Sequence, residues 1–116
     1  MKSIRFIAPL IILIALTACR SRVVKVSLIN TSAEPIKTII VDYPTATFGK
    51  DKLAPGETFS YGIKPLEPGR LKVQFTDAKG VIHTYIGLNL NKDDDGAIDV
   101  KLDQNGAVVT PNIAGR

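Results

Sequence analysis

Short runs of alternating apolar and polar residues fill the chain from Val23 to Thr110, and turn signals separate them roughly every ten residues. Alternation with this period places the apolar side chains on one face of a β-strand. After residue 22, no window keeps the apolar spacing of an amphipathic helix over several turns. The pattern therefore predicts an all-β fold with about seven short strands.

The predicted strands are bounded by residues that favour turns. Ala54-Pro55-Gly56-Glu57 and Glu67-Pro68-Gly69-Arg70 both carry the proline and glycine of a type II turn. Asn105-Gly106 is a strong hairpin signal. The strands are predicted at residues 23–29, 36–43, 58–64, 71–76, 81–90, 97–102 and 107–110, and residues 45–53 are predicted to form a loop with a short edge strand around Thr47.

Strands of this number and spacing predict an antiparallel two-sheet sandwich over residues 23–110, followed by a flexible tail at 111–116. Short connections between residues 71 and 110 favour a four-stranded meander. The layout resembles immunoglobulin-like and transthyretin-like modules, and this architectural resemblance implies no particular activity.

The strand at 36–43 is predicted to lie centrally, because both of its faces are apolar. Strict alternation would place Ile39, Val41 and Tyr43 on one face and Ile36 and Ile40 on the other. The alternative is an exposed edge that a partner's strand could join.

The first residues have the order of a secretory signal peptide. Lys2 and Arg5 precede an apolar run at residues 6–16, and the small residues Thr17 and Ala18 follow it. A permanent transmembrane helix is the alternative, but it needs about 20 apolar residues. Arg20 ends the run well before that length.

Leu16-Thr17-Ala18-Cys19 resembles the lipobox of bacterial lipoproteins. The resemblance implies cleavage before Cys19, a diacylglyceryl group on its thiol and acylation of the new amine. Residues 1–18 would then be the signal peptide and residues 19–22 a lipid-anchored tether. Two or more acyl chains hold a protein stably on a membrane.

The resemblance also implies a location. In Gram-negative lipoproteins, an aspartate after the cysteine tends to retain the protein at the inner membrane, and Arg20 occupies that position here. The expectation is therefore the outer membrane, facing the periplasm. The alternative is that Cys19 merely closes the apolar run. As the only cysteine, it can form no intrachain disulfide.

Net charge argues against a nucleic-acid partner. The whole chain has a formal charge of +4, and removing Lys2 and Arg5 with the leader leaves 13 basic against 11 acidic residues, a net charge of about +2. Basic residues do not cluster into the patch that nucleic-acid binding requires. Binding to DNA or RNA is not expected.

The acidic segment from Asn91 to Asp99 is the candidate metal site. Asn91, Asp93 and Asp95 alternate before Gly96, which is similar to the front half of EF-hand and dockerin calcium loops. Asn91 replaces the usual aspartate, and Leu102 stands in place of the closing glutamate. The alternative is a solvated acidic turn that protects a sheet edge. The candidate calcium ligands are Asn91, Asp93, Asp95 and Asp99.

No catalytic residue is predicted. His83 is the only histidine, and the sequence offers it no second histidine, no cysteine and no matched acid. None of the serines lies in a nucleophile-elbow motif. An aromatic platform for sugars would need Tyr43, Phe48, Tyr61 or Tyr85, and most of these are expected in the core.

These observations favour a lipid-anchored, non-enzymatic binding or accessory module of the cell envelope, and the candidate partner is an envelope protein. The membrane is the expected partner of Cys19, and calcium is the one cofactor considered. A calcium-stabilised adhesion or carbohydrate-binding module using residues 91–99 is the first alternative. A small envelope enzyme or inhibitor is the second.

Overall fold

The structure, a computed structural model, describes residues 22–115 and contains two four-stranded sheets. The two-sheet sandwich predicted from the sequence is confirmed. Eight strands rather than seven are present in the described residues. They are β1 (Val24–Asn30), β2 (Ile36–Tyr43), β3 (Ala46–Leu53), β4 (Thr58–Ile63), β5 (Gly69–Thr76), β6 (Ile82–Leu90), β7 (Gly96–Asp103) and β8 (Gly106–Ile113).

The strand order differs from the predicted meander. Sheet A has the order β4-β1-β7-β8 and sheet B the order β3-β2-β5-β6. The connection from β6 to β7 crosses between the sheets, so the last four strands form two separate hairpins. The crossing places β7 beside β1 in parallel, from Val24 opposite Gly96 to Asn30 opposite Leu102. The prediction of a wholly antiparallel sandwich was therefore wrong for the β1–β7 pair.

The core lies between the two sheets and is built from the inward-facing residues of each strand. Alternation in β1, β5 and β7 produces this inward face as the sequence predicts. Burial of each such aliphatic or phenyl side chain contributes about 1.5–3 kcal/mol. These side chains are at most 1% exposed: Val24, Val26, Leu28, Leu71, Val73, Phe75, Ile98, Val100 and Leu102.

Strand β2 is an inner strand of sheet B, so its predicted central position is confirmed. Its alternation is broken by a β-bulge at Thr38, which has a positive φ of 51°. The register against β5 shifts by one residue between Lys37 and Ile40. Ile36 and Ile39 are consequently both buried, whereas strict alternation had placed Ile36 on the face of Ile40.

Two segments predicted as irregular are regular strands. Residues 46–53 form the full edge strand β3 against β2. Strand β8 continues to Ile113, which is 3% exposed, so the predicted tail at 111–116 was wrong at its start. Pro111 is tolerated within β8 because an edge strand does not need every backbone N–H for pairing.

The sandwich has two ends with different contents. The proximal end is where the described chain enters, and it comprises residues 22–23, 44–45, 64–68, 91–95 and 114–115. The Gly96 amide donates to the Val23 carbonyl there at 3.3 Å, and the Asp93 amide donates to the Pro65 carbonyl at 3.3 Å. The distal end comprises the connections at residues 31–35, 54–57, 77–81 and 104–105.

Candidate functional site

The distal end contains a fully buried asparagine, Asn30, as the last residue of β1. Its Nδ2 donates to the carbonyl oxygens of Glu34 (2.8 Å) and Leu53 (3.0 Å). Its Oδ1 accepts from the amide and the hydroxyl of Ser32, at 2.9 and 2.7 Å. Every hydrogen-bonding position of the side-chain amide is therefore occupied.

The backbone beside this side chain ties the same end together. The Asn30 amide donates to the Glu57 carbonyl at 3.1 Å, and its own carbonyl accepts from the Gly56 amide at 2.8 Å. The Thr31 amide donates to the Leu102 carbonyl at 3.0 Å. The backbone hydrogen bonds of Asn30 and Thr31 thus join the β1–β2 connection to the β3–β4 connection and to the end of β7.

Asp77 organises the β5–β6 hairpin in the same part of the molecule. Its Oδ1 accepts from the backbone amides of Lys79 (2.9 Å) and Val81 (3.0 Å). Its Oδ2 lies 2.8 Å from Nε2 of His83. The His83 ring stacks on Phe75, with ring centroids 4.9 Å apart and an interplanar angle of 21°. Both carboxylate oxygens of this buried side chain are engaged.

The pKa of Asp77 lies below its usual value, chiefly because the His83 side chain hydrogen-bonds the carboxylate. The backbone amide of Val81 adds to this effect, and burial opposes it. The sequence-based statement that His83 lacks a matched acid was wrong, since the hairpin brings Asp77 to it. The pair braces a turn, because the aspartate is also committed to two turn amides.

The sequence carried a signal for both residues that the prediction did not use. Asn30 continues the inward series Val24, Val26 and Leu28 with the same two-residue step. Asp77 likewise continues the inward series of β5 that ends at Phe75. Because successive side chains of a strand point to opposite faces, residues two positions beyond a buried one also point toward the interior. This rule alone places both polar side chains there.

A cleft of about 270 Å³ opens between the distal connections. Its lining residues include a hydroxyl, an amide, an ammonium and two carboxylates. Its lining residues are Ser32, Glu34, Asp77, Ala78, Lys79 and Gln104. Three of the four distal connections contribute to it.

The acidic loop lies at the opposite, proximal end. The Asp94 carboxylate accepts from the Asn91 amide at 2.8 Å, and the Asp95 carbonyl accepts from the Ala114 amide at 2.8 Å. Asp93 is exposed and has a positive φ of 63°. Asp99 lies within β7, in register with Ser27 and Thr110. The contacts thus support a self-capped turn.

Calcium binding stays a prediction. Across residues 22–115, no group of three or more histidine, cysteine, aspartate or glutamate side chains is placed to hold a metal ion. The candidate ligand Asn91 is not one of those residue types. Calcium titration is therefore the direct test of the full set: Asn91, Asp93, Asp95 and Asp99.

The aromatic side chains are mostly packed, as expected. Phe48 of β3 and Tyr61 of β4 stack across the open side between the sheets, with centroids 4.4 Å apart. Phe48 is buried by this contact, and Tyr61 is exposed over 44% of its surface. Burial, and secondarily the nearby Tyr61, raises the pKa of Tyr43. The stacked pair closes this side of the sandwich, and of the four candidate aromatics only Tyr61 is exposed.

Leu16-Thr17-Ala18-Cys19 lies outside the described residues, so the lipoprotein interpretation stays a prediction. In the part of the chain that the structure describes, no helix is long and apolar enough to cross a membrane.

Comparison with known proteins supports the fold and goes no further. No family model matches the chain, and no curated protein matches it. The chain is similar to a protein from Eubacterium rectale whose structure was solved by NMR, with a TM-score of 0.57 and 19% sequence identity. The match covers 77% of this chain and 87% of the other. At this identity the likeness shows a shared β fold alone.

Proposed function

We propose that this protein is a lipid-anchored β-sandwich of the bacterial cell envelope, exposed to the periplasm from the outer membrane, that binds another protein through its distal end and catalyses no reaction. The leader and the Leu16-Thr17-Ala18-Cys19 motif support the anchor. The geometry of the sandwich supports the binding surface.

The position of the chain entry carries the proposal. β1 starts at Val24 in the proximal end, and only four peptide bonds separate Cys19 from Val23. Such a tether spans at most about 14 Å. Strands of eight residues are roughly 27 Å long. A lipid on Cys19 would therefore hold the proximal end near the membrane and leave the distal cleft at the end remote from it.

The chemistry of the distal end favours binding over catalysis. The one histidine is held by Asp77, and that carboxylate also accepts from the amides of Lys79 and Val81. A catalytic pair would need a free proton-accepting partner and a nucleophile within reach. Connections held by buried side chains, around a cleft lined with polar residues, are suited instead to recognising a partner's segment.

The anchor is tested by replacing Cys19→Ala in the full chain. We expect loss of labelling by a palmitate analogue, together with accumulation of uncleaved precursor or release from membranes. Ser21→Ala is the matched control, because it alters a neighbouring small residue outside the four-residue motif. Unchanged labelling of the Cys19→Ala variant would contradict the lipoprotein proposal.

The binding surface is tested by placing a photo-crosslinking amino acid at Gln104, which is exposed at the rim of the cleft. The same amino acid at Asn112, exposed near the other end of β8, is the control. We expect reproducible adducts with an envelope protein from Gln104 but not from Asn112. Identical adduct patterns at the two positions, or none at Gln104, would contradict a distal binding surface.

A further inference from the structure

Strand β6 is an edge strand without charge or proline, and β8 of sheet A packs beside it. It is the last strand of sheet B and hydrogen-bonds only β5 within that sheet. The side chains of Ile82, Thr84 and Ile86 point to the outer face, and the two isoleucines are 61% and 58% exposed. Residues 81–90 contain no lysine, arginine, aspartate, glutamate or proline. Charges and prolines are the usual means of preventing edge pairing.

Two of the three other edge strands carry such protection, and the third, β4, also lacks charge and proline but has only small residues on its outer face. Strand β3, at the opposite edge of sheet B, contains Lys50, Asp51 and Lys52 in succession. Strand β8, at the edge of sheet A, contains Pro111. β6 therefore contrasts with these neighbours, and its exposed isoleucines form a short apolar stripe with no charge along the strand.

The backbone groups that face outward on β6 can be assigned from the hairpin. The Asp77 amide donates to the Val81 carbonyl at 2.9 Å, so the polar groups of Val81 point toward β5. Backbone direction alternates along an antiparallel strand. Ile82, Thr84 and Ile86 therefore direct their N–H and C=O groups to the free edge. The same three residues supply the exposed side chains.

We infer that β6 pairs with β6 of a second copy, antiparallel and centred on Thr84. A two-fold axis through this pair places Thr84 opposite Thr84 and Ile82 opposite Ile86 of the second copy. All three positions are then hydrogen-bonded pairs, in which each residue exchanges two backbone bonds. The apolar side chains meet apolar side chains, and no charge on either β6 opposes another.

This pairing stops at two copies. An isologous contact uses the same patch on both partners and closes on itself. The eight-stranded sheet that results has a β3 strand at each outer edge, where Lys50, Asp51 and Lys52 oppose further addition. The bulge that turns Leu88 inward, marked by its φ of 21°, ends the pairing segment on the proximal side.

The pair does not depend on the anchor at Cys19, but it replaces the upright orientation of a single copy by one in which the sandwiches lie along the membrane. Antiparallel pairing puts the two chain entries at opposite ends of the dimer. The two-fold axis is perpendicular to sheet B, so both tethers reach one bilayer when the sheets lie along the membrane surface. The two distal clefts then open at opposite ends of the dimer.

Disulfide trapping tests the pairing in cells that express the full chain. Cα atoms in a hydrogen-bonded antiparallel pair are about 5.5 Å apart, within the range of about 4.4–6.8 Å that a disulfide spans. Mild oxidation of the Thr84→Cys variant should give a product of twice the chain mass. We expect it to form at least tenfold faster than with Thr110→Cys, an exposed threonine on the edge strand β8 beside Pro111.

Further variants distinguish specific β6–β6 pairing from random collision of two copies. The unsubstituted chain, with Cys19 alone, should give no oxidised dimer above background. Adding Ile82→Lys and Ile86→Lys to Thr84→Cys should lower the rate at least tenfold, because each lysine then faces a lysine of the other copy. Equal rates for Thr84→Cys and Thr110→Cys would overturn the inference. A disulfide product that joins Thr84→Cys mainly to a different protein would also overturn it, in favour of a partner's strand at this edge.

Discussion

The two ends of the sandwich contain similar polar residues in opposite situations. At the distal end, Asn30 and Asp77 are buried, and their side chains hold the connections between strands. At the proximal end, Asn91 and Asp93 lie on the surface of a loop. The difference comes from the position of each residue relative to its strand. The distal residues continue the inward-facing series of a strand, whereas the proximal ones lie in the loop that follows β6.

This difference in burial determines how much each polar side chain contributes to stability. A buried amide or carboxylate is stabilising only while all of its partners are present, and removing it leaves other buried groups unsatisfied. An exposed side chain exchanges its partners for water at little cost. Substitutions of the same chemical kind should therefore have large effects at the distal end and small effects at the proximal end.

The largest effect is expected for Asn30→Ala. It removes four side-chain hydrogen bonds and leaves the Leu53 carbonyl without this donor in a buried position. We expect the free energy of unfolding to fall by about 3 kcal/mol, measured by chemical denaturation. Asn105→Ala, in the exposed β7–β8 turn, is the matched control and should change it by less than about 0.5 kcal/mol. A similar small change for both would contradict the role of Asn30.

The next effect is a pH dependence that comes from Asp77. Because the folded state lowers its pKa, the charged carboxylate stabilises the fold above the unfolded-state pKa of about 3.9. That stability is lost as the pH falls through the lower pKa of the folded state. Asp77→Asn should reduce the thermal midpoint at neutral pH and flatten its decline below about pH 4, as followed by circular dichroism.

Asp51→Asn, on the exposed part of β3, controls for the loss of one negative charge. His83→Gln removes the imidazole that contributes most to the shift and keeps Asp77 with its turn amides. It should move the acid limb of the stability curve toward higher pH than in the unsubstituted protein. An unchanged acid limb in Asp77→Asn would show that this carboxylate does not account for the loss of stability in acid.

The smallest effect is expected for the double variant Asp93→Ala/Asp95→Ala in the proximal loop. The Asp95 contact with Ala114 uses the backbone carbonyl and survives the change. We expect the free energy of unfolding to fall by at most about 1 kcal/mol without calcium, chiefly because alanine tolerates the positive φ of Asp93 less well than aspartate does. Calorimetric titration of the unsubstituted chain should give no heat up to millimolar calcium. Saturable heat that disappears in the double variant would establish the calcium site and reverse this expectation.

Local patterns in the sequence determined much of the fold. The alternation in β1, β5 and β7 is a short-range feature that the structure has as predicted. The hairpin signalled by Asn105-Gly106 is also present, with Gln104 and Asn105 as its turn residues and Gly106 as the first residue of β8. The pairing of β1 with β7 depends on which strands meet across the two sheets. No short-range pattern encodes that choice, because several strands, such as β1, β5 and β7, present similarly apolar inner faces.

The candidate site was less predictable than the fold for the same reason. The Asp77–His83 contact joins residues across a hairpin, and the parity of β5 and β6 would have indicated it. The cleft is different, because Ser32, Lys79 and Gln104 come from three connections whose proximity requires the complete strand order. The order of strands in the sheets must therefore be known before the proximity of the connecting loops can be predicted.

The place of β1 also sets the order in which the molecule can fold. β1 lies between β4 and β7, so its partners are separated from it by up to 72 residues, as in the pair of Val24 and Gly96. Hairpins such as β2–β3 and β5–β6 close over short distances and can form early. β1 is thus synthesised before its partners β4 and β7, yet it is among the last strands to be fixed. A chain that ends before residue 96 has no completed sheet A, which makes folding slow and dependent on the whole domain.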